Sequence, residues 1–128
     1  MFVVRHCMRG YEGKLKQIIV LRTDLKMRRG KEVSQGAHAS MGGYVKHRRD
    51  PFMRMWMDGA FAKIAVGISS EEELLALHNE AKELGVSTYL IQDAGRTEFD
   101  GVPTYTSVSI GPGEPELIQR LTGTLKLR

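Results

Sequence analysis

The chain has 128 residues, 41% of them hydrophobic and 27% charged, with a single cysteine and a net charge of +4. A chain of this size and mix folds as one domain around one core, and the lone Cys7 excludes an internal disulfide framework and fits a reducing cytoplasm. No apolar run approaches the roughly twenty residues that cross a bilayer, and the start Met1-Phe2-Val3-Val4 is too short an apolar region for a signal peptide.

The charge is uneven. Residues 1–63 carry 14 Lys or Arg against 5 Asp or Glu, and residues 64–128 carry 5 against 10, so the halves stand at +9 and −5. The basic residues gather in Lys26-Met27-Arg28-Arg29-Gly30-Lys31 and in Lys46-His47-Arg48-Arg49, with Arg54 beyond. Such clusters are the footprint of a polyanion partner, nucleic acid first. A solvated basic face is the plain alternative.

Residues 1–15 show no period and read as an irregular leader; the domain runs over 16–128. Gln17 to Arg22 is a β-branched run, as a strand buried on both faces would be. A helix is expected from about Gly30 to Arg49. On it Val33, Ala37, Met41 and Tyr44 make a core-facing stripe, and Lys31, Gln35 and His38 share a second stripe on the opposite side. Asp50-Pro51 ends this helix, because the residue before proline avoids the α region. Residues 52–58 follow as a short amphipathic turn of helix. Met53, Trp56 and Met57 on it read as a lid over the core.

Phe61 to Ile68 is a second strand. Ser70-Glu71-Glu72-Glu73 is a capping box. It opens a helix with Leu74, Leu77, Ala81 and Leu84 buried and Gly85 as its stop. Val86 to Ile91 is a third strand, and Thr106 to Ile110 alternates as a half-covered fourth. Glu114 to Leu121 is a last helix, with Thr124 to Leu127 as a short strand or tail. The alternation predicts an α/β, three-layer domain: a mixed, mostly parallel sheet of about four strands flanked by helices. The link Glu98 to Tyr105 is hairpin-like and leaves the last strands free to run antiparallel.

The chemistry gathers in Gln92-Asp93-Ala94-Gly95-Arg96-Thr97, where the third strand runs out. Ligands of open α/β sheets bind at the carboxyl edge of the strands. Gly95 can take a positive φ or let a ligand approach the backbone, so that Asp93 and Thr97 converge. The plain alternative is a polar turn, with Asp93 bonding its own backbone and Arg96 in solvent. There is no nucleophile elbow, Walker loop or dinucleotide fingerprint. The four histidines are scattered and have no zinc spacing. What remains is Lys31, Gln35 and His38 on one helical face with Asp93 and Thr97 at a strand end. Such a set suits a water activated by Asp93, with Lys31 and Thr97 stabilising an oxyanion. The helix start at Arg28, Arg29 and Gly30 could hold a phosphate. For Lys31 and His38 the alternatives are a surface ion pair and a packing histidine.

Arg22-Thr23-Asp24-Leu25-Lys26-Met27, then Gly30-Lys31-x-x-x-Gln35-x-x-His38-Ala39, resembles the first segment of the archaeal and eukaryotic (type 2) peptidyl-tRNA hydrolases. So do Leu90-Ile91-Gln92-Asp93-Ala94-Gly95-Arg96-Thr97, the run Thr106 with Ile110-Gly111-Pro112-Gly113, and the ending Leu121-Thr122-Gly123-x-Leu125-Lys126-Leu127. The resemblance implies hydrolysis of the ester joining a peptide to the 3′ ribose of tRNA. It also implies a mixed four-stranded sheet, a cytoplasmic homodimer and no cofactor. By motif it assigns catalytic roles to Lys31, Asp93, Thr97 and Thr106, and it puts Gln35 and His38 beside the pocket. Arg28, Arg29, Gly95 and Arg96 complete the expected binding set, with peptidyl-tRNA as partner and no membrane. The chain departs from the pattern at Glu32-Val33-Ser34, where the family is small and Ala-rich, and at residues 98–105, which are more acidic and aromatic. The alternatives are a non-catalytic tRNA- or RNA-binding module on the same fold, or an adaptor with dimer contacts through Met53, Trp56 and Met57.

Overall fold

The computed structural model describes residues 14–96 and 98–128. In order these form β1 (Lys16–Arg22), α1 (Arg29–His47), α2 (Pro51–Asp58), β2 (Ala62–Ile68), α3 (Glu71–Glu83), β3 (Thr88–Asp93), β4 (Thr104–Ile110) and α4 (Pro115–Thr122), with a 3₁₀ turn at Phe99–Gly101. The helix boundaries follow their chemistry. Asp50 accepts from the Phe52 backbone N–H at 2.8 Å with Pro51 in the first turn of α2. Ser70 accepts from the Glu73 N–H at 3.1 Å, which realises the capping box at the head of α3.

The sheet has the order β2-β1-β4-β3. The α/β class and the mixed sheet of four strands are as expected, but the proportion is not. Only β1 and β2 run parallel, and β4 is antiparallel to both β1 and β3. The reason is length: residues 94–103 are too few for the dozen or more that a parallel crossover needs, so β3 and β4 pair as a hairpin. Since β4 opposes both its neighbours, β1, β2 and β3 point the same way and end on one edge. The expected tail strand is a single antiparallel bridge, Leu127 to Val66. It covers the outer edge of β2.

One face of the sheet carries the main core. There Ile18, Val20, Val66, Ile68, Val108 and Ile110 meet Leu74, Leu77 and Ala81 of α3 and Ile118 and Leu121 of α4. The other face carries α1, and the expected stripe on that helix is corrected. Val33 and Met41 are exposed, at 68% and 70%, and the buried residues are Gln35, Gly36, Ala39 and Gly43. The sheet beneath presents Gln17, Ser107 and Ser109, all buried. A Cβ at Gly43 would lie 2.5 Å from Ser109 Oγ, and one at Gly36 3.3 Å from Ile19. The helix therefore lies too close to the sheet for large side chains, and its small residues turn inward. Met53 and Trp56 of α2 are buried with Leu15 in a satellite cluster. Met53 and Trp56 form the expected lid, while Met57, expected with them, is exposed.

Candidate active site

Four elements deliver the site. Asp93 is the last residue of β3, at the shared carboxyl edge of the sheet. Lys31 and Gln35 lie one turn apart at the start of α1, so both point at the same strand end. Lys31 Nζ donates to Asp93 Oδ1 at 2.9 Å, and Gln35 Nε2 donates to the same oxygen at 3.2 Å. The Gly95 backbone N–H donates to Oδ2 at 2.9 Å. Gly95 needs its missing side chain, because its φ is +80° and a Cβ would collide with the Val102 backbone.

Thr106 reaches this cluster through a register shift. Ile91 pairs with Ser107, but the next residue, Gln92, pairs with Tyr105. Thr106 is thus the extra residue of a bulge, which re-aims its side chain. It has no exposure, and its hydroxyl donates to Gln35 Oε1. Ser107 Oγ adds a bond to the Gln35 carbonyl at 3.1 Å. A carboxylate only accepts, so the Gln35 amide must turn its NH₂ to Asp93, and the Thr106 hydroxyl then satisfies the amide oxygen.

The Lys31 ammonium, first of all, holds Asp93 below the ordinary carboxylate range; the Gly95 N–H and the Gln35 amide act in the same direction, against burial. The site is therefore a fixed anion with a cation bonded to it, both mostly shielded: their side chains are 13% and 16% exposed. Above Lys31 lies the ring of Phe99, its centroid 5.6 Å from Nζ. Arg28 bonds Glu98 at 3.0 Å across the same mouth.

The other expected residues distribute as follows. His38 shares the Lys31–Gln35 stripe but is exposed and outside the bonded set. Arg96 is exposed, and Asp93 does bond its own backbone at Gly95, so the polar-turn alternative describes part of the same geometry. Arg28 is at the mouth. Arg29 turns instead to the far side of α1, into a groove with Glu32 and Arg128. Thr97 lies outside the described residues, as do residues 1–13 of the expected leader. The residue pattern assigns Glu98 and Phe99 no role at the site; the Asp100-Gly101 pair, a turn signal, is the feature that brings the chain back over Lys31. Among the described residues, no group of three His, Cys, Asp or Glu gathers as metal ligands would.

Residues 15–128 match the family model described as "Peptidyl-tRNA hydrolase PTH2". The "Peptidyl-tRNA hydrolase" of Methanothermobacter thermautotrophicus is 40% identical over 113 residues, which cover 88% of this chain and 99% of that relative. The "Probable peptidyl-tRNA hydrolase 2" of Dictyostelium discoideum is 41% identical over 117 residues, 90% of this chain and 55% of the relative. The "Peptidyl-tRNA hydrolase 2, mitochondrial" of Homo sapiens is 41% identical over 120 residues, 92% and 66%. The chain thus spans nearly all of the archaeal relative and between half and two-thirds of the two eukaryotic ones.

Proposed function

The chain belongs to the peptidyl-tRNA hydrolase PTH2 family, and we propose that Lys31, Asp93, Gln35 and Gly95 form the centre at which it hydrolyses the ester between a peptide and the 3′ ribose of tRNA. The observation that carries this reading is the Asp93 carboxylate, held by three donors at the sheet's carboxyl edge beside a shielded ammonium.

Asp93 Oδ1 is occupied by Lys31 and Gln35, while Oδ2 receives one backbone N–H and keeps a lone pair for a water. A carboxylate of lowered pKa is a weak base, so Asp93 chiefly orients that water and takes its proton as the tetrahedral intermediate forms. The water oxygen bonds to the carbonyl carbon, the bond to the ribose 3′ oxygen breaks, and the proton passes to that oxygen. Lys31 has donor hydrogens beyond the one on Asp93 and stabilises the developing oxyanion. Thr106 acts through Gln35 and positions the carboxylate; Thr97, two residues past Gly95, is assigned to the oxyanion from the sequence alone.

The exposed Arg28, Lys46, Arg48 and Arg49 form the tRNA face, taking phosphates along α1, while Arg29 belongs to the groove on the far side of that helix; Arg96 and His38 extend the tRNA face at the site. Homodimerisation uses the outer face of α1. Val33, Met41 and Val45 stand exposed along it. They continue into a groove of about 570 Å³ floored by Ile19, Leu21 and Ala65. Its rim holds both signs of charge, Arg29 and Arg128 with Glu32, as a patch that pairs with its own copy requires. No helix among the described residues is long and apolar enough to cross a membrane. A cytoplasmic location is part of this reading, and fractionation of cells tests it.

The decisive experiment is release of a blocked aminoacyl or peptidyl group from tRNA by the purified chain, with free aminoacyl-tRNA as control. Release from the blocked substrate, lost in both Lys31→Ala and Asp93→Asn, supports the hydrolase and its site together. No release, with tRNA still bound at low salt, favours the non-catalytic tRNA-binding module.

A further inference from the structure

We propose that the ring of Phe99 is the platform on which the 3′-terminal base of the substrate stacks. This rests on the hydrolase reading above and extends it to how the end of the nucleic acid is seated. Phe99 and Asp100 both adopt left-handed backbone, with φ of 63° and 51°, which non-glycine residues rarely do. Such strain persists only where the surroundings over-determine it, and it concentrates at ligand sites. Here the turn is tied down repeatedly. Gly101 N–H donates to the Gly95 carbonyl and Val102 N–H to the Phe99 carbonyl, each at 2.9 Å. Glu98 is bonded to Arg28, and the Thr104 hydroxyl donates to the Val102 carbonyl at 2.8 Å.

The strain does nothing for the core, since Phe99 belongs to neither hydrophobic cluster. What it does is hold a half-buried ring 5.6 Å from Lys31 Nζ. In a 3′ ester the base hangs from the same ribose that carries the scissile bond. With Lys31 on the ester oxygen, the base lies about one sugar ring beyond it, and Phe99 is an aromatic ring held beside that lysine, 5.6 Å from Nζ. Stacking on an aromatic ring accepts any base, because every base has a π face. It supplies register for the end of the chain without reading sequence.

The test is steady-state hydrolysis of a blocked aminoacyl-tRNA by the wild type and by Phe99→Tyr, Phe99→Leu and Phe99→Ala. A second substrate carries an abasic 3′-terminal nucleotide. Stacking predicts that Phe99→Ala and Phe99→Leu raise KM by roughly 5- to 150-fold. It predicts kcat within about twofold and Phe99→Tyr near the wild type. The abasic end should cost the wild type a similar factor and cost Phe99→Ala almost nothing more. Thermal unfolding identifies any variant that fails to fold, and the Tyr and Leu variants keep the comparison readable if Ala does. A fall in kcat at unchanged KM, or full rescue by Leu, would make the ring a mere cover for Lys31 and overturn the inference. An abasic end that costs the wild type and Phe99→Ala the same factor would also overturn it and leave the hydrolase intact. Wild type inert toward both substrates would reject the hydrolase reading and this inference with it.

Discussion

Lys31 Nζ meets Asp93 Oδ1 at 2.9 Å across 62 residues of chain, at the junction of the first turn of α1 with the end of β3. Neither group can be moved without the other, and Gln35 and Gly95 hold the carboxylate from the remaining sides. Lys31→Ala and Asp93→Asn should each lower kcat by about two to four powers of ten. Binding of tRNA at low salt should be retained, because phosphate contacts dominate affinity. Single-turnover release beside a filter-binding titration checks both. Lost binding with unchanged turnover would remove Asp93 from the chemistry.

The pH dependence follows from the same pair. The Lys31 ammonium is the main cause of the lowered pKa of Asp93. A depressed carboxylate stabilises the fold above its unfolded value, near 3.9 for aspartate, and the contribution disappears as pH falls through the lower folded value. Lys31→Met should raise the acid limb of the rate profile toward the ordinary aspartate range. Its deficit in thermal stability should be largest at neutral pH and shrink as pH falls below the ordinary aspartate value. Unfolding curves from pH 2 to 7 measure this. A deficit that grows in acid would contradict the sign.

Thr106 lies beneath the site and reaches it only through Gln35. Thr106→Val keeps the shape but leaves the Gln35 amide oxygen unpaired in a buried place, at a cost of about 1–3 kcal/mol in stability. The amide is then free to rotate its NH₂ away from Asp93, so kcat should fall by roughly ten- to a hundredfold. Thr106→Ser, which restores the hydroxyl, should recover most of both.

Strand and helix positions were legible in the sequence because period and capping are local: Ser70 caps α3 as its capping box predicts, and α1 ends before Asp50-Pro51. The Asp93 edge was legible because the β3 run ends in Asp-Ala-Gly. Lys31 and Gln35 were legible as one stripe, since i and i+4 share a face. Three things were not. The direction of β4 depends on pairing at a distance, and only the shortness of residues 94–103 bears on it. The orientation of α1 was hidden because a helical period fits either of two stripes. Size settled it: the polar floor of Gln17, Ser107 and Ser109 admits glycine and alanine and leaves Val33 and Met41 outside. The bulge that turns Thr106 inward leaves no mark in composition at all.

That close approach predicts opposite outcomes for two glycines of one helix. Gly30→Ala meets nothing within 4 Å, so it should stabilise by up to about 1 kcal/mol through helix propensity. Gly43→Ala gains the same propensity but drives its Cβ to 2.5 Å from Ser109 Oγ, with Gln17 behind it. Displacing a buried contact of this kind costs about 1–3 kcal/mol, so Gly43→Ala should lower Tm while Gly30→Ala raises it. Urea unfolding of the two variants is sufficient, and matching shifts would mean the helix stands further from the sheet.

The same orientation leaves apolar side chains in solvent along one side of α1, with Val33, Met41 and Val45 exposed. A monomer gains nothing by presenting such a ridge, and contiguous apolar surface of this kind marks an association site. In the proposed homodimer a second copy would bring the same ridge and the same Arg29, Glu32 and Arg128 rim, and a two-fold contact would set each apolar row on its equivalent and each cation near an anion. Met41→Glu places two like charges across that axis and should shift sedimentation from dimer to monomer, weakening association by at least about a hundredfold. The monomer should stay folded, because Met41 contributes nothing to the core, and Asp50→Ala, at the cap of α2 away from the ridge, should lower stability without changing the oligomeric state. Wild-type chain that sediments as a monomer at every concentration would leave the ridge for another partner and remove the dimer from the reading.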